Sequence, residues 1–302
     1  MFDTCIIGTG PAGYSAGIYA VRAGLKVVMI SGKDQGGQLM KTLHVDNYPG
    51  TPNISGFGLM QSMQKQVHDL GLKEVSDHVE SLKVIDNQNI EVQLYKRVIN
   101  AKTVILATGS SPKLLSIPTL QKYWNRGVST CAVCDGTRYK GADVVVIGGG
   151  NTAVEEAIYL SNVCNKVYLI HRRDELRAEK IMQKQLFQRK NIELLWFSEL
   201  HEISGESKVE RIKIFNNQNQ SYSYIDVQAV FIAIGHLPNS DLVKGIVDLD
   251  DHGYVITKDT CTNVPNIFAA GDVQDYKYRQ AITAAGTGCI AALQVEKYIT
   301  RL

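Results

Sequence analysis

Cys131-Ala-Val-Cys134 sets two thiols two residues apart in a chain of 302 residues that carries six cysteines. Thiols at this spacing can close a small disulfide, and so store and release two electrons. The same pair could supply half of a tetrahedral zinc site. Zinc needs four ligands, however, and no second C-x-x-C or H-x₃-H pair accompanies it; Cys5, Cys164, Cys261 and Cys289 stand singly along the chain. Redox use is the favoured reading. Asp135 follows the second thiol and leads into Gly136. It either moves the proton that disulfide reduction requires or serves as a turn residue, since Asp-Gly favours turns.

Such a dithiol needs elements to hold it and a source of electrons. Downstream, the apolar, β-branched run from Asp143 to Ile147 predicts a buried strand, which feeds Gly148-Gly-Gly150-Asn151-Thr152-Ala153 and then helical spacing from Val154 to Ser161. Upstream, Phe2 to Ile7 predicts a strand feeding Gly8-Thr-Gly10-Pro11-Ala12-Gly13 and a helix over Tyr14 to Ala23. Strand, glycine turn and helix in this order form a dinucleotide-binding motif. Its glycines permit the tight turn, let backbone approach a pyrophosphate and bring helix against strand, while the helix N-terminus offers N–H groups to phosphate. The two glycine sets lie 140 residues apart, with Ala153 in the place of Gly13, and Phe231-Ile-Ala-Ile-Gly-His236 echoes Val104-Ile-Leu-Ala-Thr-Gly109. Two dinucleotide-binding domains of related plan are therefore predicted, which an enzyme with a single cofactor would not need.

The two sites differ where their ligands should differ. In the second, the strand Lys166 to Ile170 ends in His171-Arg172-Arg173, with Arg177 shortly after. Forked guanidinium groups suit a 2′-phosphate, whereas an acid would suit a free 2′-hydroxyl, so NADPH is expected over NADH. His171 either packs on the adenine or caps the strand. In the first site the strand Lys26 to Ile30 ends in Ser31-Gly32 without the usual acid, and Asp34 is the nearest one. Gly36-Gly37-Gln38-Leu39 and Asn47-Tyr-Pro-Gly50 either carry backbone to a flat ligand or turn at the surface. The buried strand predicted over Thr103 to Ala107 ends in Thr108-Gly109, either against a nucleotide or as a plain stop. Phe57 to Leu70 as a helix, and Val79 to Leu94 as strands turning at Asp86 to Asn89, read as scaffold. Hydride carries an electron pair that a flavin can accept, so FAD is the sensible occupant of the first site, and a relay from NADPH through FAD to the dithiol follows.

Composition excludes other classes. With 44% hydrophobic and 21% charged residues the chain can bury the cores of two domains, and a formal net charge of +2 argues against a nucleic-acid surface. No run approaches 18 uninterrupted apolar residues, and Met1-Phe-Asp-Thr-Cys-Ile-Ile enters a strand directly, so neither a membrane span nor a secretion signal is expected. Six cysteines do not make a disulfide framework in a chain this long, and a reducing cytoplasm fits. The four single cysteines read as small core or half-buried residues.

Taken together, Gly8 to Gly13, Gly36 to Leu39, Cys131 to Gly136, Gly148 to Ala153, His171 to Arg173, and Gly271-Asp272-Val followed by Tyr278-Arg279-Gln280-Ala281-Ile-Thr-Ala-Ala-Gly286 resemble the bacterial low-molecular-weight thioredoxin reductases, over essentially the whole chain and in family order. That resemblance implies an α/β fold of two Rossmann-like dinucleotide-binding domains of three-layer ββα type. A discontinuous FAD domain would span 1–115 and 245–302, with an NADPH domain carrying the C-x-x-C inserted at 116–244. It implies that Cys134 faces the flavin, that Cys131 attacks the disulfide of thioredoxin, and that Asp135 donates the proton. Gly271 and Asp272 would hold the FAD pyrophosphate and ribityl region, with Arg279, Gln280 and Ala281 along the flavin. A homodimer through the FAD domains is also implied, as is rotation between the domains, hinged near Ser111 to Thr119 and Pro238 to Val243. A glutathione-reductase-like enzyme would instead carry a wider C-x₄-C after the first glycine motif, where this chain has Gly36-Gly37-Gln38-Leu39. A ferredoxin or flavodoxin reductase would lack the dithiol, an oxygen-using dithiol oxidase would have no use for Arg172 and Arg173, and a non-catalytic NADPH sensor or zinc-stabilised regulator would be colourless.

Overall fold

The computed structural model describes residues 1–32, 34–42 and 45–302. The first run of the chain forms β1 (Phe2–Ile7), α1 (Pro11–Arg22), β2 (Val27–Ile30), α2 (Gly56–Asp69), β3 (Lys73–Val75), β4 (Val79–Asp86), β5 (Asn89–Leu94), β6 (Val98–Leu106) and β7 (Ser110–Pro112). Next come β8 (Val128–Ser129), α3 (Ala132–Asp135), β9 (Asp143–Gly148), α4 (Asn151–Ser161), β10 (Lys166–Ile170), α5 (Lys180–Phe187) and β11 (Ile192–Leu195). The chain continues through β12 (Ser198–Ser204), β13 (Arg211–Asn216), β14 (Ser221–Asp226) and β15 (Ala229–Ala233), and closes with β16 (His236–Pro238), β17 (Ile267–Ala269) and α6 (Ala281–Thr300). It divides into two compact units, one of Met1–Ser111 with His236–Leu302, the other of Pro112–Gly235.

In the discontinuous unit, β3, β2, β1, β6 and β17 lie side by side and parallel, and the antiparallel β5 and β4 continue from β6. Parallel strands need both faces covered, and the sequence supplies two apolar sides. One core packs Tyr14, Ala16, Met60, Val67 and Ala291 of α1, α2 and α6 against Ile6, Met29 and Ile105. The opposite core packs Leu82, Val92 and Leu94 of β4 and β5, with Val243 and Val247, against Cys5, Val28 and Val104. Helices, sheet and β-meander give three layers.

The continuous unit repeats the plan. Its parallel sheet runs β11, β10, β9, β15, β8. On one face α3, α4 and α5 contribute Ala132, Ala157, Leu160 and Leu186 to a core with Val144, Val146 and Leu169. On the other, the antiparallel ribbon β12-β13-β14 contributes Leu200, Ile203, Ile212 and Ile214. This ribbon and the 20-residue helix α6 go beyond the sequence expectations. The ribbon's strands alternate only partly, and β14 is largely exposed, so their polar residues hide the strand signal.

The units divide at Ser111/Pro112 and Gly235/His236, not at the expected 115/116 and 244/245. Packing explains the difference. Leu115 and Ile117 pack against the continuous unit's core. His236–Pro238 pairs with β7, and Val243 is fully buried in the discontinuous unit.

Candidate active site

The two sulfurs of Cys131 and Cys134 are joined as a disulfide at the start of α3. Cys131 is the extended residue that caps this four-residue helix, and its Sγ accepts the Cys134 amide at 3.2 Å. Both cysteines are half-buried, while Val133 between them is 47% exposed. A dithiol at a partly open helix start fits thiol exchange, because an amide hydrogen bond to sulfur favours the thiolate that attacks. Ser129, which the sequence reading did not single out, ties the motif together. Its Oγ accepts the Cys131 amide at 3.1 Å and donates to Asp135 Oδ2 at 2.6 Å. Arg138 lies 3.4 Å from the other Asp135 oxygen. Asp135 is therefore anchored within the dithiol turn, where its carboxylate is held by Ser129 and Arg138.

Beneath α3 lies α4, whose N-terminus is the second glycine turn. Gly148 has φ of +157°, and a Cβ there would meet Ala153 Cβ at 2.7 Å and the Ala233 carbonyl, so strand and helix close on each other only without a side chain. A Cβ on Gly150 would meet nothing within 4 Å. Asn151 starts the helix and holds the N-terminus of α5, accepting the Glu179 amide at 2.9 Å; Thr152 follows it, half-buried. His171 is 5% exposed, donates from Nε2 to the Glu175 carbonyl at 2.9 Å and lies edge-on to Trp196. Burial lowers its pKa, with the Arg177 and Arg173 charges adding to the effect. A neutral, buried ring directly behind Gly149 supports the glycine turn from below. Arg172, Arg173 and Arg177 are exposed, and the described residues hold no carboxylate in ion-pair range of them. The Arg177 amide donates to the Gly149 carbonyl at 2.7 Å, which fixes this cationic segment to the turn.

In the discontinuous unit, Gly8 has φ of +111° where β1 turns into α1, and a Cβ there would press on the Ala107 carbonyl. A Cβ on Gly13 would strike the Gly8 carbonyl, whereas one on Gly10 would meet nothing within 4 Å. Pro11 and Ala12 open α1. Thr9 Oγ1 accepts the Gly36 amide at 3.0 Å, and a Cβ on Gly37 would lie 3.6 Å from Gly10 Cα, so the 3₁₀ turn that carries Gly37, Gln38 and Leu39 sits against the glycine turn. Asp34 is exposed, 3.9 Å from Lys41 Nζ. Asn47 Nδ2 donates to Gln280 Oε1 at 3.1 Å, and Gln280 caps α6 in a reciprocal box with Thr283, so Ala281 begins that helix. Arg279 precedes the cap with φ of +47°. Thr108 and Gly109 are fastened to Asn239 by hydrogen bonds of 2.7 to 2.9 Å. The Gly271 amide donates to Thr287 at 2.9 Å, and a Cβ there would meet Ala12 Cβ at 2.9 Å.

A family model described as pyridine nucleotide-disulphide oxidoreductase matches residues 2–288. The chain belongs to that family. A thioredoxin reductase of Rickettsia conorii is 47% identical over 305 residues, covering 98% of this chain and 97% of its own. One from Coxiella burnetii is 43% identical, covering 98% and 96%. The crystal structure of thioredoxin reductase from Streptococcus pyogenes, 39% identical, superposes with a TM-score of 0.94 over 100% of this chain and 99% of that one.

Pyridine nucleotide-disulphide oxidoreductases imply bound dinucleotides, and the residues of each unit fit them. Gly10 and Gly150 each cap a helix N-terminus, and the space a methyl group would take at each is open, which is what a close-lying pyrophosphate requires. Asp272 adds a second observation. Burial, reinforced by Asp275, pushes its carboxyl up to about 7, and it accepts no hydrogen bond among the described residues. A ligand hydroxyl would relieve that cost. In the continuous unit, the three exposed guanidinium groups beside the turn fit a phosphate in the same way. The other cysteines are unlike the pair: Cys5 is fully buried with its thiol pushed up to about 12, and burial raises Cys164 to about 11, values at which neither is a nucleophile at neutral pH.

Proposed function

We propose that this chain is an NADPH-dependent flavoprotein that reduces the disulfide of thioredoxin. The observation that carries the reading is the Cys131–Cys134 disulfide, set on the helix whose N-terminus is the second glycine turn, in a chain aligned nearly end to end with thioredoxin reductases. The glycine turn of the discontinuous unit would hold FAD, which would supply a two-electron carrier between NADPH and the disulfide.

The chain's own residues would divide the work as follows. Gly8, Gly10, Pro11, Ala12 and Gly13 would hold the FAD pyrophosphate on α1. Gly37, Gln38, Leu39, Asn47, Thr108 and Gly109 would line the same cofactor, with Gly271, Asp272, Arg279, Gln280 and Ala281. Gly148, Gly150, Asn151 and Thr152 would hold the NADPH pyrophosphate, and Arg172, Arg173 and Arg177 its 2′-phosphate. His171, buried behind Gly149, would support the turn beneath the nucleotide or pack on its adenine. Reduction of the disulfide by two electrons and one proton leaves one sulfur as a thiol and the Cys131 sulfur as a thiolate. Asp135, held by Ser129 and Arg138, would take up a proton from solvent and pass it to sulfur. The Cys131 thiolate then attacks the thioredoxin disulfide; one sulfur–sulfur bond forms as another breaks, and Cys134 resolves the mixed disulfide, regenerating the Cys131–Cys134 bond. The net change is oxidation of one NADPH and reduction of one protein disulfide. Rotation of the inserted unit, hinged near Ser111 to Thr119 and Pro238 to Val243, would present the dithiol first to flavin and then to protein. We place this chemistry in the cytoplasm, in a homodimer.

The test is thioredoxin-dependent oxidation of NADPH by the flavin-loaded protein, compared with the Arg172→Ala/Arg173→Ala variant. The wild type should reduce thioredoxin with NADPH, and the variant should show KM for NADPH raised about 10- to 100-fold with little change for NADH, the loss expected for two charge-assisted phosphate contacts. No thioredoxin reduction by the wild type would overturn the reading; an equal loss with both nucleotides would overturn the assignment of the arginines.

A further inference from the structure

One buried acidic side chain lies outside the roles described above. Glu156 sits on α4 and is 9% exposed, among Ala153, Val154, Ala157 and Leu160, which are fully buried. Its neighbour Glu155 points to solvent. A carboxylate in such surroundings costs several kcal/mol unless it accepts hydrogen bonds. Glu156 Oε1 accepts the backbone amide of Ala132 at 3.3 Å, and Ala132 is the residue between Cys131 and Val133 in the dithiol motif. That amide is one of the first N–H groups of a four-residue helix, which has no carbonyl of its own to offer them.

The contact belongs to a wider seat. Ala132 is fully buried in the core that includes Ala157 and Leu160, and a Cβ on Gly136 would meet Leu160 Cδ2 at 2.8 Å and Tyr159 Cε1 at 3.0 Å. The dithiol turn thus rests on α4 at both ends, by hydrogen bond at Ala132 and by close approach at Gly136. Ser129 fixes the preceding residue, Cys131. Glu156 fixes the turn from α4 through a buried carboxyl group.

We propose that Glu156 is a positioning residue for the redox pair, holding the start of α3 on the nucleotide-binding helix so that the Cys131 and Cys134 sulfurs stay poised for bond formation in the reduced protein. It touches the backbone between the thiols and not the reacting atoms. When the dithiol closes, two protons and two electrons leave and one sulfur–sulfur bond forms, and a turn already held in its closed shape has a larger equilibrium constant for that step. The proposal rests on the redox reading of the dithiol and is independent of thioredoxin being the partner.

The experiment equilibrates the flavin-loaded protein in buffers of reduced and oxidised dithiothreitol, quenches in acid, alkylates free thiols and counts them at Cys131 and Cys134 by mass spectrometry. Dithiothreitol supplies and accepts the electron pair, so neither NADPH nor thioredoxin is needed, and a failure of the thioredoxin assay leaves this result standing. Glu156→Met fills a similar volume without an acceptor oxygen, and Glu156→Gln keeps the carbonyl oxygen. The Met variant should lower the equilibrium constant for closing about tenfold, moving the potential about 30 mV more positive for this two-electron couple, while the Gln variant stays within about threefold of wild type. An unchanged Met variant, or equal shifts in Met and Gln, would overturn the proposal. Should the Met variant not fold, amide exchange in wild type and Glu156→Gln decides: slow exchange at Ala132 in both supports the contact, and rapid exchange in the wild type contradicts it.

Discussion

Asp272 shows how far one side chain can report on a ligand. Its carboxyl is pushed from 3.8 up to about 7 by burial and by Asp275, with Arg279 opposing. Between those two values the folded, flavin-free protein binds more protons than the unfolded chain, so stability should fall as pH rises from about 4 through about 7 and be lowest above that. At 1.36 kcal/mol per pKa unit the loss is about 4 kcal/mol at most. Flavin-free Asp272→Asn should lack this decline and be the more stable protein at pH 8, as read by urea melts across the pH range. Parallel pH profiles for the two would show that Asp272 is not the strained group. In the sequence, Gly271-Asp272 is visible only through family resemblance. Nothing local in the residues distinguishes an acid that will be buried from an ordinary turn residue. Ser129 and Glu156 were hidden for related reasons. Ser129 acts through its hydroxyl on residues two and six positions away. Glu156 stands out only as an acid on the buried face of an amphipathic helix, next to a second acid that faces water.

At the scale of elements, the strand-turn-helix units were legible because their periods and their glycines agree. The buried strands β1 and β9 are short apolar runs, and the glycines that follow are demanded by backbone approach rather than by flexibility. This separates two substitutions of the same kind. Gly13→Ala drives a methyl group into the Gly8 carbonyl and must part α1 from β1, so it should destabilise the protein by about 1 to 3 kcal/mol. Gly10→Ala meets nothing in the protein and has a φ of −71° that alanine accepts, so stability should hold while FAD affinity falls at least tenfold. Thermal melts and flavin release together check the pair, and equal loss of stability in both variants would contradict this account of the turn. The ribbon β12-β13-β14 was not legible. Glu199, Glu202 and most of β14 face outward, and Leu200, Ile203, Ile212 and Ile214, with Ile225, mark the covered side. Helix α6 was hidden differently: its small, apolar sequence packs closely on α1, where Gly288 abuts Ala12, and so shows little polar face.

At the scale of the whole molecule, the chain leaves one compact unit, builds a second with its own two cores, and returns. The 140-residue echo between glycine turns announced this repetition, but the breakpoints needed packing to locate, because Val243 and Val247 belong to a core whose other members are far away in sequence. Among the described residues no helix is long and apolar enough to cross a membrane. The central claim is that one unit's dinucleotide feeds electrons through the other's flavin into the Cys131–Cys134 pair. An anaerobic titration of the flavin-loaded protein, followed by flavin absorbance and by alkylation of the two cysteines, tests it most directly, on the wild type and on Cys134→Ser. The account predicts that the wild type takes up two electron pairs per chain, one in flavin and one in the dithiol, and that the variant takes up one. A wild type that takes up one pair with its cysteines still joined, or a capacity unchanged by Cys134→Ser, would contradict it.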